Sequence, residues 1–319
     1  MRAFQVTDYG TTAFSQDAAV PEPKPGEVKL RIHACALNFA DLLMVKGTYQ
    51  EKPPLPFSPG MEVAGEVVAL GEGVTTPAIG TRVAVFGGHG GLAEFGCFDA
   101  RLCVTLPDAM DFKTGAAFQV AYSTSHVALD YKAGLKKGET LLVTGAAGGV
   151  GLTAVELGKL MGANVIAAAR GADKLAVAKA HGADHLIDTD TEDLREAVKS
   201  LGGADVVYDV IGGDLFTAAL RACNPEARVL TIGFASGDVP QIAANHILVK
   251  NISVIGFYWG GYLKFKPDVL TNSLAELFDM YIAGTLRPHV SHSFPLEEAD
   301  QGLAVLRNRQ STGKVVITL

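Results

Sequence analysis

Residues 143–151 read VTGAAGGVG and continue as LTAVELGKL. A β-prone run ends at Thr144, a Gly/Ala turn occupies 145–149, and an apolar periodic stretch opens near Gly149. Strand, turn and helix in that order bring backbone N–H groups and a helix N-terminus, with its partial positive charge, to where a pyrophosphate can approach. The spacing departs from Gly-x-Gly-x-x-Gly, because Ala146 stands at the first glycine and leaves Ala146-x-Gly148-x-x-Gly151. In isolation a tight strand-to-helix turn of any α/β domain reads the same way. The segments around it decide.

Downstream, NVIAAA is a second strand, ADKLAVAKAHG a helix ended by Gly182, and DHLID, DVVYDV (205–210), ARVLTIGF (227–234) and ISVIGF (252–257) are further apolar runs at helix-sized intervals. Such β-α repetition predicts a doubly wound parallel sheet with helices on both faces, an α/β fold of Rossmann type. Immediately upstream, the stretch from Asp111, a helix N-cap, to Gly134, a terminator, predicts a helix of about five turns. Before residue 106 the text is strand and turn. In VKLRIHAC (28–35), Val28, Leu30, Ile32 and Ala34 alternate with Lys29, Arg31, His33 and Cys35, the period of a half-buried strand. EVAGEVVALG (62–71), TRVAVFG (81–87) and CFDARLCVTLP (97–107) follow between Gly and Pro, predicting a small antiparallel barrel-like unit. Helices near 268–283 and 296–308 and a closing strand GKVVITL end the chain.

Composition limits the function. At 319 residues, 48% hydrophobic and 19% charged, the chain is long enough for two domains. Its apolar runs fall far short of the roughly 20 residues of a membrane helix, and MRAFQVTDYG lacks a signal-peptide core. Four scattered cysteines suit a reducing compartment, so the expected location is cytoplasmic. A net charge of −7 gives no electrostatic reason for nucleic acid or a membrane as partner. Small molecules are the expected ligands.

The second strand of the β-α unit distinguishes two dinucleotides. An NAD site places an acid on the ribose 2′-hydroxyl about 20 residues past the turn, and an NADP site places a cation for the 2′-phosphate. Here NVIAAA runs out into Arg170, with Lys174 four residues on, while Asp173 reads as the start of a helix. The expected cofactor is NADPH; a solvated loop cation is the alternative for Arg170.

With these residues in place the chain resembles the medium-chain dehydrogenase/reductase superfamily, in its zinc-free quinone oxidoreductase (zeta-crystallin-like) branch. The resemblance is carried by NFADLLMVKGTY (38–49), PGMEVAGEVVALGEGV (59–74), AYSTSHVAL (121–129), residues 138–163 around the glycine turn, KNISVIGFYWG (250–260) and STGKVV (311–316). It implies a GroES-like β-rich catalytic domain over 1–118, a Rossmann NADPH-binding domain over 119–260, a return to the catalytic domain over 261–319, and a cleft between the domains. Zinc alcohol dehydrogenases of the superfamily carry Cys and Gly-His-Glu where this chain has Asn38 and Gly60-Met61-Glu62. Amide and thioether do not replace thiolate and imidazole, and only Cys97 and Cys103 lie where a four-cysteine structural lobe would be, so no metal is expected.

Hydride transfer then requires the nicotinamide and an acceptor held in contact, with a proton donor for the oxyanion formed. Asn38, Asp41 and Tyr49 are the polar candidates. Asn38 and Asp41 also read as an N-cap and its N3 acid, and Tyr49 also as a packing residue. By resemblance, Asn38 and Thr124 lie at the nicotinamide, Gly148, Gly149 and Val150 form the pyrophosphate turn, Arg170 and Lys174 hold the 2′-phosphate, and Phe234, Phe257 and Arg309 are further cofactor contacts. Thr189 stands where many relatives have a Tyr over the adenosine phosphate. Tyr258, Trp259 and the loop with His89 are expected to line the substrate site, His89 being either a proton source or merely solvated. The expected reaction is NADPH-dependent reduction of a quinone; reduction of an activated C=C bond, or cofactor binding without turnover, are the alternatives. Finally, NISVIGFYWG reads as the last strand of its sheet with neither Pro nor Lys to defend the edge, which predicts a homodimer through 252–257; coverage by the C-terminal region of the same chain is the alternative.

Overall fold

Alternation over 27–37 builds the strand around which the first half of the protein is organised. The computed structural model describes residues 1–319, which divide into one unit of Met1–Val120 with Pro288–Leu319 and another of Ala121–Arg287. The first unit opens with β1 (Ala3–Asp8), β2 (Thr11–Ser15), β3 (Glu27–Leu37), α1 (Phe39–Val45), β4 (Glu62–Leu70), β5 (Arg82–Phe86), β6 (Phe95–Asp99) and β7 (Cys103–Thr105). The division falls within α2 (Phe112–His126). The second unit runs through β8 (Thr140–Thr144), α3 (Gly149–Leu160), β9 (Asn164–Ala169), α4 (Ala172–Ala180), β10 (His185–Asp188), α5 (Leu194–Ser200) and β11 (Ala204–Asp209). It ends with α6 (Gly213–Ala222), β12 (Cys223–Thr231), α7 (Ala244–Lys250), β13 (Ser253–Gly256), α8 (Trp259–Phe265) and α9 (Pro267–Ile282). The chain then returns to the first unit as β14 (Val290–Pro295), α10 (Ala299–Arg307) and β15 (Lys314–Thr318).

In the first unit β3 pairs with β4 along one side, while its other side takes β6 over 27–31 and β15 over 34–37. Register shifts within β3 let one strand serve these partners. Val28, Leu30, Ile32 and Ala34 are buried as the alternation requires, and Val28, Leu30 and Ile32 share a core with Val63, Val67, Val83, Val85 and Val315. Each such side chain contributes roughly 1.5–3 kcal/mol on burial. Two expectations are corrected. The stretch 97–107 is two strands, because Ala100–Leu102 turns as a single 3₁₀ turn with the Asp99 carboxylate accepting from Arg101 N–H. The unit is not wholly antiparallel, since β14 and β15 run parallel, joined through α10.

The second unit is a parallel sheet in the order β10-β9-β8-β11-β12-β13, the doubly wound arrangement that the β-α repetition predicts. Asp111 accepts from Thr114 N–H to start α2, and a π-helical continuation, Val127–Lys132, leads to Gly134 at φ +56°. Residues 261–287, expected with the first unit, belong here, and the first boundary lies at Val120 rather than 118. The reason is α9, which buries Leu270, Leu274 and Leu277 and sets Ser273 Oγ 3.0 Å from His126 Nδ1 on α2. The segment 227–234 also shifts, the strand running from Cys223 to Thr231. No helix is long and apolar enough to cross a membrane.

A buried carboxylate anchors the start of α1. Asp41 Oδ2 accepts from Asn38 N–H (2.7 Å) and Oδ1 from Gly60 N–H (3.0 Å), tying the helix to the loop before β4. Burial raises the Asp41 pKa to about 6, against the lowering effect of those two N–H groups and of Lys314. The folded state therefore holds a proton that the unfolded chain, near 3.8, has released, so stability is lost as pH rises through that window. Between pH 4.5 and 7, wild type should lose roughly 2 kcal/mol relative to Asp41→Asn, read from urea midpoints of both proteins at each pH. Parallel pH profiles would refute the assignment.

Candidate functional site

The glycine turn lies at the sheet's topological switch point, between the paired strands β8 and β11, from which the chain continues to β9 on one side and to β12 on the other. Gly145 adopts φ +64°, and a Cβ on Gly151 would lie 2.2 Å from Gly145 O, so only glycine lets α3 approach the end of β8 this closely. Gly148 differs. It has an ordinary φ of −78°, and a Cβ there would come no nearer than 3.4 Å to the protein. The fold does not demand glycine at 148, whereas an anion approaching the N-terminus of α3 would.

The ends of these two strands are stapled by a buried carboxylate that motif reading missed. Asp209 Oδ1 accepts from Thr144 Oγ1 (2.6 Å), Oδ2 accepts from Gly212 N–H (2.8 Å), and Val210 N–H donates to Thr144 Oγ1 (3.2 Å). Burial raises the Asp209 pKa against these hydrogen bonds. The available signal was the polar Asp within the apolar run DVVYDVIGG.

At the end of β9, Arg170 is exposed and Lys174 half-buried in the first turn of α4. Gly171, at φ +79°, donates its N–H to Asp188 Oδ1 (3.0 Å) on β10, and that hydrogen bond, with one from Asp190 N–H, lowers the Asp188 pKa. Thr189 donates its N–H to Ala169 O, 3.0 Å away. Asp188 thus shapes the loop that carries Arg170, a role the sequence pattern did not reveal. Phe234 is exposed beyond β12.

Helix α2 is locked on two faces. Ser125 Oγ meets Val150 O (2.8 Å), Thr153 Oγ1 (2.8 Å) and Tyr208 Oη (3.0 Å), and Tyr122 Oη donates to Glu156 Oε2 (2.6 Å). These bonds hold α2 against the first turns of α3, with Thr124 buried beside them in sequence. On the other face Trp259 Nε1 donates to Ser123 Oγ (2.9 Å), which also accepts from Ser273 Oγ (3.2 Å). Trp259 and Phe257 are therefore buried, Phe257 packing on the Tyr262 ring, while Tyr258 is exposed. Of the three aromatics, Tyr258 is the one presented to solvent.

In the first unit the register gathers a polar cluster around Asn38. With Val315 opposite Leu37 and Glu62 opposite Ala36, Lys314 and Glu62 reach the C-terminal end of β3 from its two flanking strands. Lys314 Nζ donates to Glu62 Oε1 and to Asn38 Oδ1 (2.7 Å), Asn38 Nδ2 donates to Glu62 Oε1 (3.0 Å), and Glu62 Oε2 accepts from Val120 N–H (3.2 Å). Lys314 is 7% exposed and Glu62 1%. Lys314 was not singled out from sequence and Glu62 entered only through the comparison with zinc enzymes, although a Lys opening KVVIT and a Glu opening EVAGEVV are charges at the ends of apolar strands.

Asp41 is enclosed behind this cluster, both oxygens committed to backbone N–H groups, which is the structural half of its two readings. Tyr49 packs on the unit's hydrophobic core. His89 is exposed on its loop, with the Phe57 ring edge-on at 6.3 Å; partial desolvation lowers its pKa against the pull of Glu51. Arg309 lies exposed in the left-handed region at φ +55°. Met61 is buried in the core, and no three His, Cys, Asp or Glu side chains are grouped to hold a metal ion. The four cysteines are free; burial pushes the Cys103 and Cys223 thiols up to about 12 and Cys35 well above the ordinary range.

Residues 24–108 match the alcohol dehydrogenase GroES-like domain, and residues 149–277 the zinc-binding dehydrogenase family. A quinone oxidoreductase-like protein 2 homologue of Nematostella vectensis is 40% identical over 91% of this chain and 81% of its own length. The human synaptic vesicle membrane protein VAT-1 homologue is 33% identical over 95% of this chain and 81% of its own. Among solved structures, the quinone oxidoreductase of Thermus thermophilus, determined also as its complex with NADPH, superposes with a TM-score of 0.87 at 33% identity, covering all of both chains. With this fold, glycine turn and coverage, the chain belongs to the medium-chain dehydrogenase/reductase superfamily, among its quinone oxidoreductase-like members.

Proposed function

We propose that this protein is an NADPH-dependent oxidoreductase acting on a small electron-poor acceptor, with a quinone as the leading substrate class. The observation that carries the reading is the turn at the switch point, where Gly148 is bare without any need of the fold. Relatives named as quinone oxidoreductases, one solved with NADPH, support it.

Gly148, Gly149 and Val150 would hold the pyrophosphate through backbone N–H groups and the α3 N-terminus. Arg170 and Lys174 would take the 2′-phosphate, on a loop braced by Asp188, with Phe234, Phe257 and Arg309 as further contacts. Asn38 and Thr124 would orient the nicotinamide ring. Bound NADPH supplies the hydride; the protein's own side chains supply orientation and the proton, for which Tyr49 and His89 are the titratable candidates. The relative whose name refers to a synaptic vesicle membrane rather than a reaction supports a second reading, cofactor binding without turnover. Following NADPH oxidation with 9,10-phenanthrenequinone, benzoquinones and alkenals separates quinone reduction, C=C reduction and binding alone. Four free thiols suit a reducing compartment, and we place the protein in the cytoplasm.

The assembly we propose is a homodimer through β13. That strand ends its sheet, and the helix before it exposes Leu248 (76%) and Val249 (75%). Phe257 N–H points inward to Thr231 O of β12, so by strand alternation Val254 N–H points out of the sheet, unpaired within the chain.

Three outcomes test these readings. Gly148→Ala should fold as wild type but bind NADPH at least tenfold more weakly in a fluorescence titration, whereas Gly151→Ala should lose thermal stability itself; equal behaviour of the two would remove the pyrophosphate assignment. Two charge-assisted contacts to the 2′-phosphate are worth about 2–4 kcal/mol, a preference for NADPH over NADH of roughly thirty- to a thousand-fold. Arg170→Asp should erode it, and an unchanged ratio of dissociation constants would move the role elsewhere. Sedimentation should give twice 33.4 kDa for wild type and the single mass for Val254→Pro, which removes an outward donor without touching the β12 ladder; a monomeric wild type rejects the dimer.

A further inference from the structure

Asn38 is expected at the nicotinamide, yet nothing in that expectation explains how a side-chain amide on a strand end is kept in one orientation. The ambiguity is real, because an amide presents an acceptor and two donors on a nearly symmetric frame. Its surroundings remove the ambiguity. Lys314 Nζ carries only donors, so the atom 2.7 Å from it is the amide oxygen. The Glu62 carboxylate accepts, so the atom 3.0 Å from Oε1 is the amide nitrogen. Lys314 and Glu62 are also bonded to each other, and Glu62 Oε2 is fixed by the Val120 N–H, so the frame gripping Asn38 is itself immobile.

Counting donors shows what is left. One Nδ2 hydrogen goes to Glu62, and the other has only Ala36 O at 3.5 Å, the outer limit of a hydrogen bond. An ammonium on Oδ1 draws electron density from the amide and strengthens that remaining donor. We infer that Lys314 and Glu62 are positioning residues that lock the Asn38 amide so that one polarised N–H is presented to a carbonyl oxygen of the bound molecules, either the carboxamide of the nicotinamide or the acceptor itself. The inference rests on the reading that Asn38 lies in the active site. Asn38 is then the residue that touches the ligand, and the ion pair acts through it.

The test reads the amide directly. In protein labelled with ¹⁵N at asparagine, the Asn38 side-chain pair is assigned by its loss in Asn38→Ala, and NADP⁺ is added, followed by 9,10-phenanthrenequinone. Lys314→Met alone would leave Glu62 buried without a cation and could fail to fold, so the variant used is Lys314→Met with Glu62→Gln, which removes both charges together. In wild type the Asn38 amide protons should move on adding NADP⁺ if the partner is the carboxamide, or only on adding the quinone if it is the acceptor. In the double variant that response should be lost. NADPH turnover with the same quinone should fall at least tenfold when Lys314 and Glu62 are replaced beside Asn38, but less than twofold when they are replaced in Asn38→Ala. No response of Asn38 to either ligand in wild type would overturn the placement of Asn38 and this inference with it. A wild-type response that persists in the double variant, or equal losses of turnover in both backgrounds, would overturn the positioning role alone.

Discussion

The contact between Gly151 and the Gly145 carbonyl sets the geometry of the whole second unit. A Cβ at 151 would lie 2.2 Å from that oxygen, so its absence lets the first turn of α3 sit directly on the end of β8. Once α3 is there, Val150 O and Thr153 Oγ1 fall within reach of Ser125, and Glu156 within reach of Tyr122, so α2 docks by hydrogen bonds that exist only at this spacing. The same Glu156 accepts from Arg287 N–H (2.7 Å) at the far end of the unit. One close backbone approach therefore propagates through two helices to the point where the chain leaves the unit. At Gly148, in the same turn, a Cβ would come no nearer than 3.4 Å to the protein, so the packing that fixes Gly151 leaves this position unfilled.

Much of this was legible in the residues. Alternation in VKLRIHAC, the β-α repetition and the glycine punctuation carried the elements and the parallel, doubly wound character of the second sheet, because periodicity reports which face is buried and Gly reports where the backbone must bend. What escaped were features set by pairing between distant segments. The ion pair of Lys314 with Glu62 joins residues 252 positions apart, and only the register of β15 and β4 on β3 brings them together. Asp209 and Asp188 lie in runs that read as strand, and each accepts from a backbone N–H of a turn, with Thr144 Oγ1 as a further donor to Asp209, pairings that side-chain patterns do not reveal. The extent of the second unit was misjudged for the same reason: nothing local to 261–287 announces that Ser273 and Leu274 will meet α2. Trp259, expected to line the substrate site, has its indole N–H on Ser123 Oγ, a partner that no local pattern announces.

Asn38, Asp41 and Glu62 form a short lesson in how polar groups are divided between fold and chemistry. Asp41 has each oxygen bonded to a backbone donor and lies fully buried inside the helix start. Glu62 is enclosed as deeply, with its oxygens taken by Lys314, Asn38 and Val120. Only Asn38 is both partly accessible and incompletely bonded. Burial and hydrogen-bond bookkeeping together separate the group that can act on a bound molecule from the two that hold it in place.

The charge at this position also accounts for Lys314. Where zinc dehydrogenases of the superfamily carry Cys, His and Glu, this chain keeps the carboxylate, as Glu62, and replaces the other two with an amide, Asn38, and a thioether, Met61. A carboxylate 1% exposed without a cation would cost several kcal/mol. Neither Asn38 nor Met61 can balance it. An ammonium entering from the last strand does, and because Lys has three donors on one compact head it can neutralise Glu62 and still reach Asn38 Oδ1. The cation that stabilises the buried acid is thereby the same group that orients the amide, so the electrostatic requirement of the fold and the geometry of the candidate site are met by one side chain.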